Sequence, residues 1–345
     1  MGEWWGLTSA RGNPRAVGPG GETSTPQAGR TPAREEAMGN PTGGGEAPGP
    51  REGPLSRRFK VSTTELAYMH GLVIGDIDVV KLGKYWKVRT TTSHPAMERV
   101  FVETFAKVSV DGLIRKYPKL SDPKSVTTHN VKCHWRLYTY IEKWLGEILI
   151  KKSEDVIDDY IDDINTLSAF TAGLMDSDGT IVIGLSKRTG NTRPRIQLKV
   201  GFINKNKNLL SKIIEAWRKF SISLHIELNR NTSVNHFGNS PIWFAVTESK
   251  KTIAKLASYI LKYMRHYERK QRLMLVLEII SNPNYTYEEL FRRRATLNEK
   301  VRSEVLNYRR EACRALQQQH KVLITKDYSI IVMPKKNRSM CRGIH

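Results

Sequence analysis

The 345-residue chain carries 56 Lys+Arg against 34 Asp+Glu, a net charge of +22, and that excess selects polyanionic partners, phosphate-rich nucleic acid before an anionic membrane. No apolar run approaches the roughly 20 residues of a membrane span, and the N-terminus lacks a signal-peptide core, so an intracellular protein, cytoplasmic or nucleoid-associated and with no membrane partner, is expected. Cys133, Cys313 and Cys341 show no C-x-x-C spacing and the nine histidines no H-x-x-x-H pairing, which argues against a disulfide framework and against zinc.

Residues 1–58 hold 13 of the 25 glycines and 8 of the 15 prolines with almost no aliphatic periodicity, and are expected to form a disordered tail. From residue 59 the chain reads as two similar halves, 59–153 and 165–282. The first opens on TTELAYMHGLVIGDIDVV (63–80) and the second on NTLSAFTAGLMDSDGTIVI (165–183). Each begins at a candidate cap, Thr63 or Thr166, and runs as an apolar helix to an acid, Asp76 or Asp178.

After the first acid, 84–91 alternates Tyr85, Lys87 and Arg89 against Trp86 and Val88, 96–108 reads as a helix, and 131–138 sets Lys132, His134, Arg136 and Tyr138 opposite Val131, Cys133, Trp135 and Leu137. The acidic stretch 154–164 between the halves reads as a solvated linker. In the second half 193–200 alternates Arg193, Arg195, Gln197 and Lys199 against Ile196, Leu198 and Val200. A helix follows over 208–220. Next, 222–229 places His225 and Asn229 on one face, 242–246 is its partner strand, and a helix with room for a break covers 252–280. Each half is thus helix, two strands, helix, two strands, helix. Residues 283–345 are a basic extension with an Arg-rich helix whose apolar stripe is Leu290, Leu297, Val301 and Val305.

Small residues recur every fourth position in both motif helices: Ala67, Gly71, Gly75 and Ala169, Gly173, Ser177. Such stripes let two backbones approach closely, which would bring Asp76 and Asp178 side by side. Two adjacent carboxylates repel unless a cation lies between them, and oxygen-only ligands point to Mg²⁺ with substrate phosphate completing its shell. Asp176, two positions from Asp178, points about 200° away and is expected to face solvent or cap a neighbour. The wet strand faces offer Arg, Lys and Gln donors for base edges and phosphates: Lys87, Arg89, Lys132, His134 and Arg136 in one half, and Arg193, Arg195, Gln197, Lys199, His225 and Asn229 in the other, with Lys187 and Arg188 beside them.

AGLMDSDG (172–179) closely, and HGLVIGDID (70–78) more loosely, resemble the LAGLIDADG motif of the monomeric, two-motif homing endonucleases. The resemblance spans about residues 63–280, and FINKNKNLLSKIIEAW (202–217) is similar to the strand-to-helix passage of archaeal intron-encoded members. It implies an α+β fold of two pseudo-symmetric αββαββα units, with antiparallel saddle sheets over duplex DNA and packing through the motif helices. It implies that Asp76 and Asp178 bind Mg²⁺ or Mn²⁺, that both strands of a long asymmetric site are cut to give short 3′ overhangs, and that the activity promotes intron mobility. By position Asn204 and Lys205 resemble residues that polarise water or phosphate. Their first-half counterparts are near Thr92 and Ser93, where no lysine occurs. Ile77 stands where the motif has glycine, which could alter the first site. An intron RNA maturase and a non-cleaving DNA-binding regulator of the same fold are the alternatives.

Overall fold

The computed structural model describes residues 61–83, 85–120, 133–186, 195–228, 241–282, 284–318, 321–325 and 330–333, all within the unit Pro54–His345. The expected tail over 1–58 and the candidates Lys132, Lys187, Arg188, Arg193 and Asn229 lie outside the described residues.

The first half runs α1 (Thr63–Ile74), β1 (Asp78–Leu82), β2 (Tyr85–Thr92), α2 (Pro95–Phe105), β3 (Leu113–Leu120), β4 (Cys133–Ile141) and α3 (Lys143–Leu149). The second runs α4 (Ile164–Asp178), β5 (Gly179–Ser186), β6 (Arg195–Asn204), α5 (Lys207–Lys219), β7 (His225–Leu228), β8 (Trp243–Thr247) and α6 (Lys250–Ile260). Each half is αββαββα with an antiparallel sheet, as expected. The N-caps differ from the expected threonines: Ser62 accepts from Glu65 N–H at 3.1 Å, and Asp163 from Asn165 and Thr166 N–H at 3.2 and 3.1 Å.

β4 alternates strictly, with Cys133, Trp135, Leu137, Thr139 and Ile141 buried and the residues between them half-wet. In β6, Leu198, Val200 and Phe202 face the core. Period-two alternation therefore gives each sheet one apolar face under helices and one face open to water.

Three departures from the sequence expectations follow from packing. The acidic linker is not a solvated strap: Glu154–Asp159 forms a 3₁₀ turn whose Val156 and Ile157, with Tyr160, enter the core, while Asp155 and Asp158 meet Lys212 at 3.3 and 2.9 Å. The C-terminal helix of the second half breaks after Ile260, as its sequence allowed, and resumes as α7 (Tyr267–Ser281). The extension joins the first half, since α8 (Tyr287–Gln317) packs Tyr308 and Ala312 on Cys133 and Trp135, and β9 (Lys321–Thr325) and β10 (Ile330–Met333) continue the first sheet in the order β1-β2-β4-β3-β9-β10. Finally, Cys133 and Cys313 form a disulfide between β4 and α8, although their spacing of 180 residues follows no motif.

Candidate metal centre and nucleic-acid interface

The site is built where α1 and α4 cross. A Cβ added to Gly71 would lie 2.0 Å from the carbonyl oxygen of Phe170, and one added to Gly173 would lie 2.1 Å from that of Tyr68. One turn on, a Cβ at Gly75 would meet Ser177 Oγ at 2.0 Å and Asp178 Oδ2 at 3.0 Å. The stripes thus bring the helices together backbone to backbone, and this contact carries Asp178 to the end of the first motif.

The two motif ends are not identical. α4 stays helical through Asp178, and Gly179 N–H donates to Met175 O. α1 stops at Ile74; Asp76 lies in the turn beyond it, and Ile77 N–H reaches back five residues to Leu72 O at 3.2 Å. Gly179 has φ −68°, so its glycine is required by space and not by a left-handed backbone: a Cβ there would meet Met175 O at 2.2 Å. The wider exit of α1 gives Ile77 a fully buried place in the core.

Asp76 keeps exposed surface, yet protein crowds its carboxyl. That desolvation raises its pKa, Arg269 and Lys152 pull it back down, and Asp78 pushes it up. Asp178 is half-buried, and desolvation and then the charge of Asp76 push it up to about 7, against Arg269 and Lys152. Two like charges that disfavour each other in one desolvated place, offering only oxygen donors, suit a divalent cation such as Mg²⁺ or Mn²⁺.

Protein cations also reach this point, and the sequence reading missed both. Arg269 Nη1 donates to Met175 O at 2.8 Å near the C-terminal end of α4, where partial negative charge accumulates. Lys152 Nζ donates to Ile77 O at 3.3 Å and lies 3.8 Å from Asp78 Oδ1. Lys152 stands in the KK pair before the acidic linker, whereas Arg269 is one base among many in its segment and carries no signal. Asn204 comes from the second half, but its Nδ2 donates to Ile74 O at 3.5 Å, at the end of the first motif helix. Lys205 follows it on exposed surface.

Asp176 does not face solvent. It is fully buried, and its Oδ2 accepts from Tyr68 Oη and Arg265 N–H at 2.6 Å each and from His266 N–H at 3.1 Å. It caps the start of α7, and the break after α6 exists where those N–H groups turn toward it.

Among the described residues His94, His266 and Glu268 also bring ligand-type atoms within 4.8 Å of one another. Each histidine Nδ1 accepts a backbone N–H, from Ala96 at 3.1 Å and from Arg269 at 3.4 Å. Their ring protons therefore sit on Nε2, where His94 lies 2.9 Å from Glu268 Oε2. Glu268 is desolvated, which alone would raise it, but His94 and Arg272 draw it down to about 2. The cluster is a pair of helix-capping histidines and an acid ion-paired to Arg272.

The wet face of the first sheet combines bases with tyrosines. Register aligns Lys87 with Tyr140, Arg89 with Tyr138, Arg115 with Tyr138 and Tyr117 with Arg136. Lys87 Nζ lies 3.8 Å from the Tyr138 ring centroid, the Arg115 guanidinium 5.0 Å from that of Tyr140, and Arg136 Nη1 3.1 Å from Tyr117 Oη. Arg89 meets Asp78 at 3.4 Å, and His134 shares the half-buried alternation of β4 with Arg136. Arg115 and Tyr117 escaped the sequence reading because Pro118 interrupts the strand pattern. Among the described residues β3 pairs β9 over Leu113–Lys116 and pairs β4 through Pro118, which stands opposite Trp135.

On the second sheet three described candidates meet carboxylates. Lys199 is ion-paired to Glu227, His225 Nε2 lies 2.8 Å from the same carboxylate, and Gln197 Nε2 donates to Glu248 at 3.1 Å. Arg195 sits on β6 opposite Ser186.

No family model matches the chain, and no curated protein matches it. Several solved structures do. I-WcaI bound to its DNA recognition sequence is 18% identical, with 63% of this chain and 89% of that chain covered at a TM-score of 0.43. I-SmaMI bound to uncleaveable DNA gives 11%, 69%, 99% and 0.40, and I-DmoI in complex with DNA and Mn gives 17%, 57%, 96% and 0.31. All three are homing endonucleases. Identities and scores this low transfer no activity.

Proposed function

We propose that the chain is a site-specific, metal-dependent endodeoxyribonuclease of the homing type, acting as a monomer on a long asymmetric duplex and encoded with a mobile intron. The observation that carries this reading is the meeting of Asp76 and Asp178, one from each half, at a crossing of glycine-striped helices. It is supported by the basic, tyrosine-rich wet face of the first sheet, which offers donors and ring faces to a duplex. No helix among the described residues is long and apolar enough to cross a membrane.

Asp76 and Asp178 would hold Mg²⁺ or Mn²⁺, which when bound supplies an activated water and neutralises charge on the leaving oxygen. The protein's own part is to keep both carboxylates at one point, to hold Lys152 and Arg269 beside them, and to orient the duplex by the sheet cations. Asn204 and Lys205 act on the water or the phosphate at the same crossing. The different exit of α1 supports a second reading, in which the first site is impaired and the protein nicks DNA or only binds it.

The test is cleavage of a randomised duplex library by the purified protein in Mg²⁺, in Mn²⁺ and in EDTA. Metal-dependent double-strand cuts at a preferred site are expected, falling at least 100-fold in Asp76→Asn and in Asp178→Asn. Salt-sensitive binding without cutting would favour the non-cleaving reading, or an RNA maturase if structured intron RNA competed.

A further inference from the structure

A phosphodiester brought to two carboxylates needs cationic side chains as well as a metal, because its own charge adds to theirs. In the second half Asn204 and Lys205 stand at the end of β6. The equivalent end of β2 carries Thr92 and Ser93, which are nearly buried and committed elsewhere. His94 N–H donates to Thr92 Oγ1 at 2.9 Å, and Arg309 Nη2 donates to Ser93 Oγ at 3.2 Å. The first half therefore has no cation from the strand that supplies one in the second.

Lys152 arrives from a different direction. The chain leaves α3 and is caught by His70, a buried residue of the first motif helix: Nε2 bonds to Lys151 O at 2.9 Å, and Nδ1 to Tyr160 Oη at 2.8 Å. These two bonds clamp the segment between the halves onto α1. The next residue, Lys152, then reaches the carbonyl of Ile77, one peptide beyond Asp76. Its side chain remains 43% exposed, so it can turn toward a phosphate without unpacking the core.

We propose that Lys152 is the basic side chain serving the first half's cleavage site, doing there what Lys205 does in the second, with His70 as its positioning residue. This rests on the endonuclease reading. It makes the two cleavage sites chemically alike but topologically distinct, since one lysine follows a strand and the other follows α3.

Strand-resolved cleavage of an end-labelled target tests it, with binding followed separately by mobility shift in EDTA. Lys152→Met should bind DNA within about threefold of wild type, lose at least 100-fold in the cutting of one strand, and accumulate nicked product. Lys152→Arg should recover a tenth or more of that strand's rate, and Lys205→Met should slow the opposite strand. His70→Gln should show the same strand bias as Lys152→Met in a weaker form. Equal cutting of both strands by Lys152→Met, or equal loss on both, would overturn the assignment while leaving the nuclease standing. A wild-type protein that cuts neither strand would overturn both.

Discussion

A desolvated carboxyl group at a helix end, within electrostatic reach of a second carboxyl, is kept there against its own electrostatics. Asp178 titrates near 7 in the fold and near 3.8 when unfolded, so the folded state holds its proton more tightly. Stability from this group is present at low pH and is lost as pH rises from about 4 through 7. Asp178→Asn should therefore stabilise the metal-free protein at pH 8 by about 1–2 kcal/mol after allowance for solvent screening, a gain that shrinks below pH 7 and vanishes near pH 4. Thermal unfolding of both forms in EDTA across that range reads it directly. The same substitution should abolish cleavage, since removing the repulsion also removes the metal donor. These acids were legible in the sequence because the motif places them at a helix end. Lys152 and Arg269 were not, because their approach depends on chain segments that fold back from 76 and 91 residues away.

At the scale of elements, the small-residue spacing was enough to expect that α1 and α4 pack on each other. It could not reveal how the helices end. α4 continues to Asp178 because Gly179 leaves room for Met175 O, while α1 opens its last turn because Ile77 needs a core position. Gly71→Ala should destabilise the fold by about 3 kcal/mol, because its Cβ meets a carbonyl oxygen fixed by the opposite backbone and not a side chain that can move. Denaturant unfolding checks it; an unchanged midpoint would mean that the helices do not cross at these glycines. The strands with strict alternation were readable, β4 above all. β3 was hidden by Pro118, a residue type that argues against a strand interior although it pairs here with Trp135 of β4. The break between α6 and α7 depends on the buried carboxylate of Asp176, a partner distant in sequence.

For the whole molecule, pseudo-symmetry of elements does not extend to charge. The first sheet keeps Lys87, Arg115 and Arg136 ordered against tyrosine rings, while the second sheet neutralises Lys199 with Glu227 and engages Gln197 with Glu248. β9 and β10 extend the first sheet, α8 packs on that sheet and also bonds α7 through Arg272 and Asn298 at 2.8 Å, and the Cys133–Cys313 bond fastens the addition to β4. Composition alone showed a basic chain but not how each described sheet face engages its cations, with tyrosine rings beside the Arg115–Asp111 pair in the first and with carboxylates in the second. We predict that Lys87→Ala with Arg136→Ala weakens duplex binding at least tenfold and lowers the slope of log affinity against log salt by about 2, whereas Lys199→Ala changes affinity less than threefold. Mobility shifts between 50 and 200 mM salt measure both.

The central claim is that one acid from each half contributes to a single divalent centre. Mn²⁺ binding to the protein on duplex target, followed by electron paramagnetic resonance beside Asp76→Asn and Asp178→Asn, tests it most directly. Saturable binding in the wild type that is weakened at least tenfold by either substitution is predicted. Binding left intact by one of them, or absent from the wild-type complex, would contradict a shared centre.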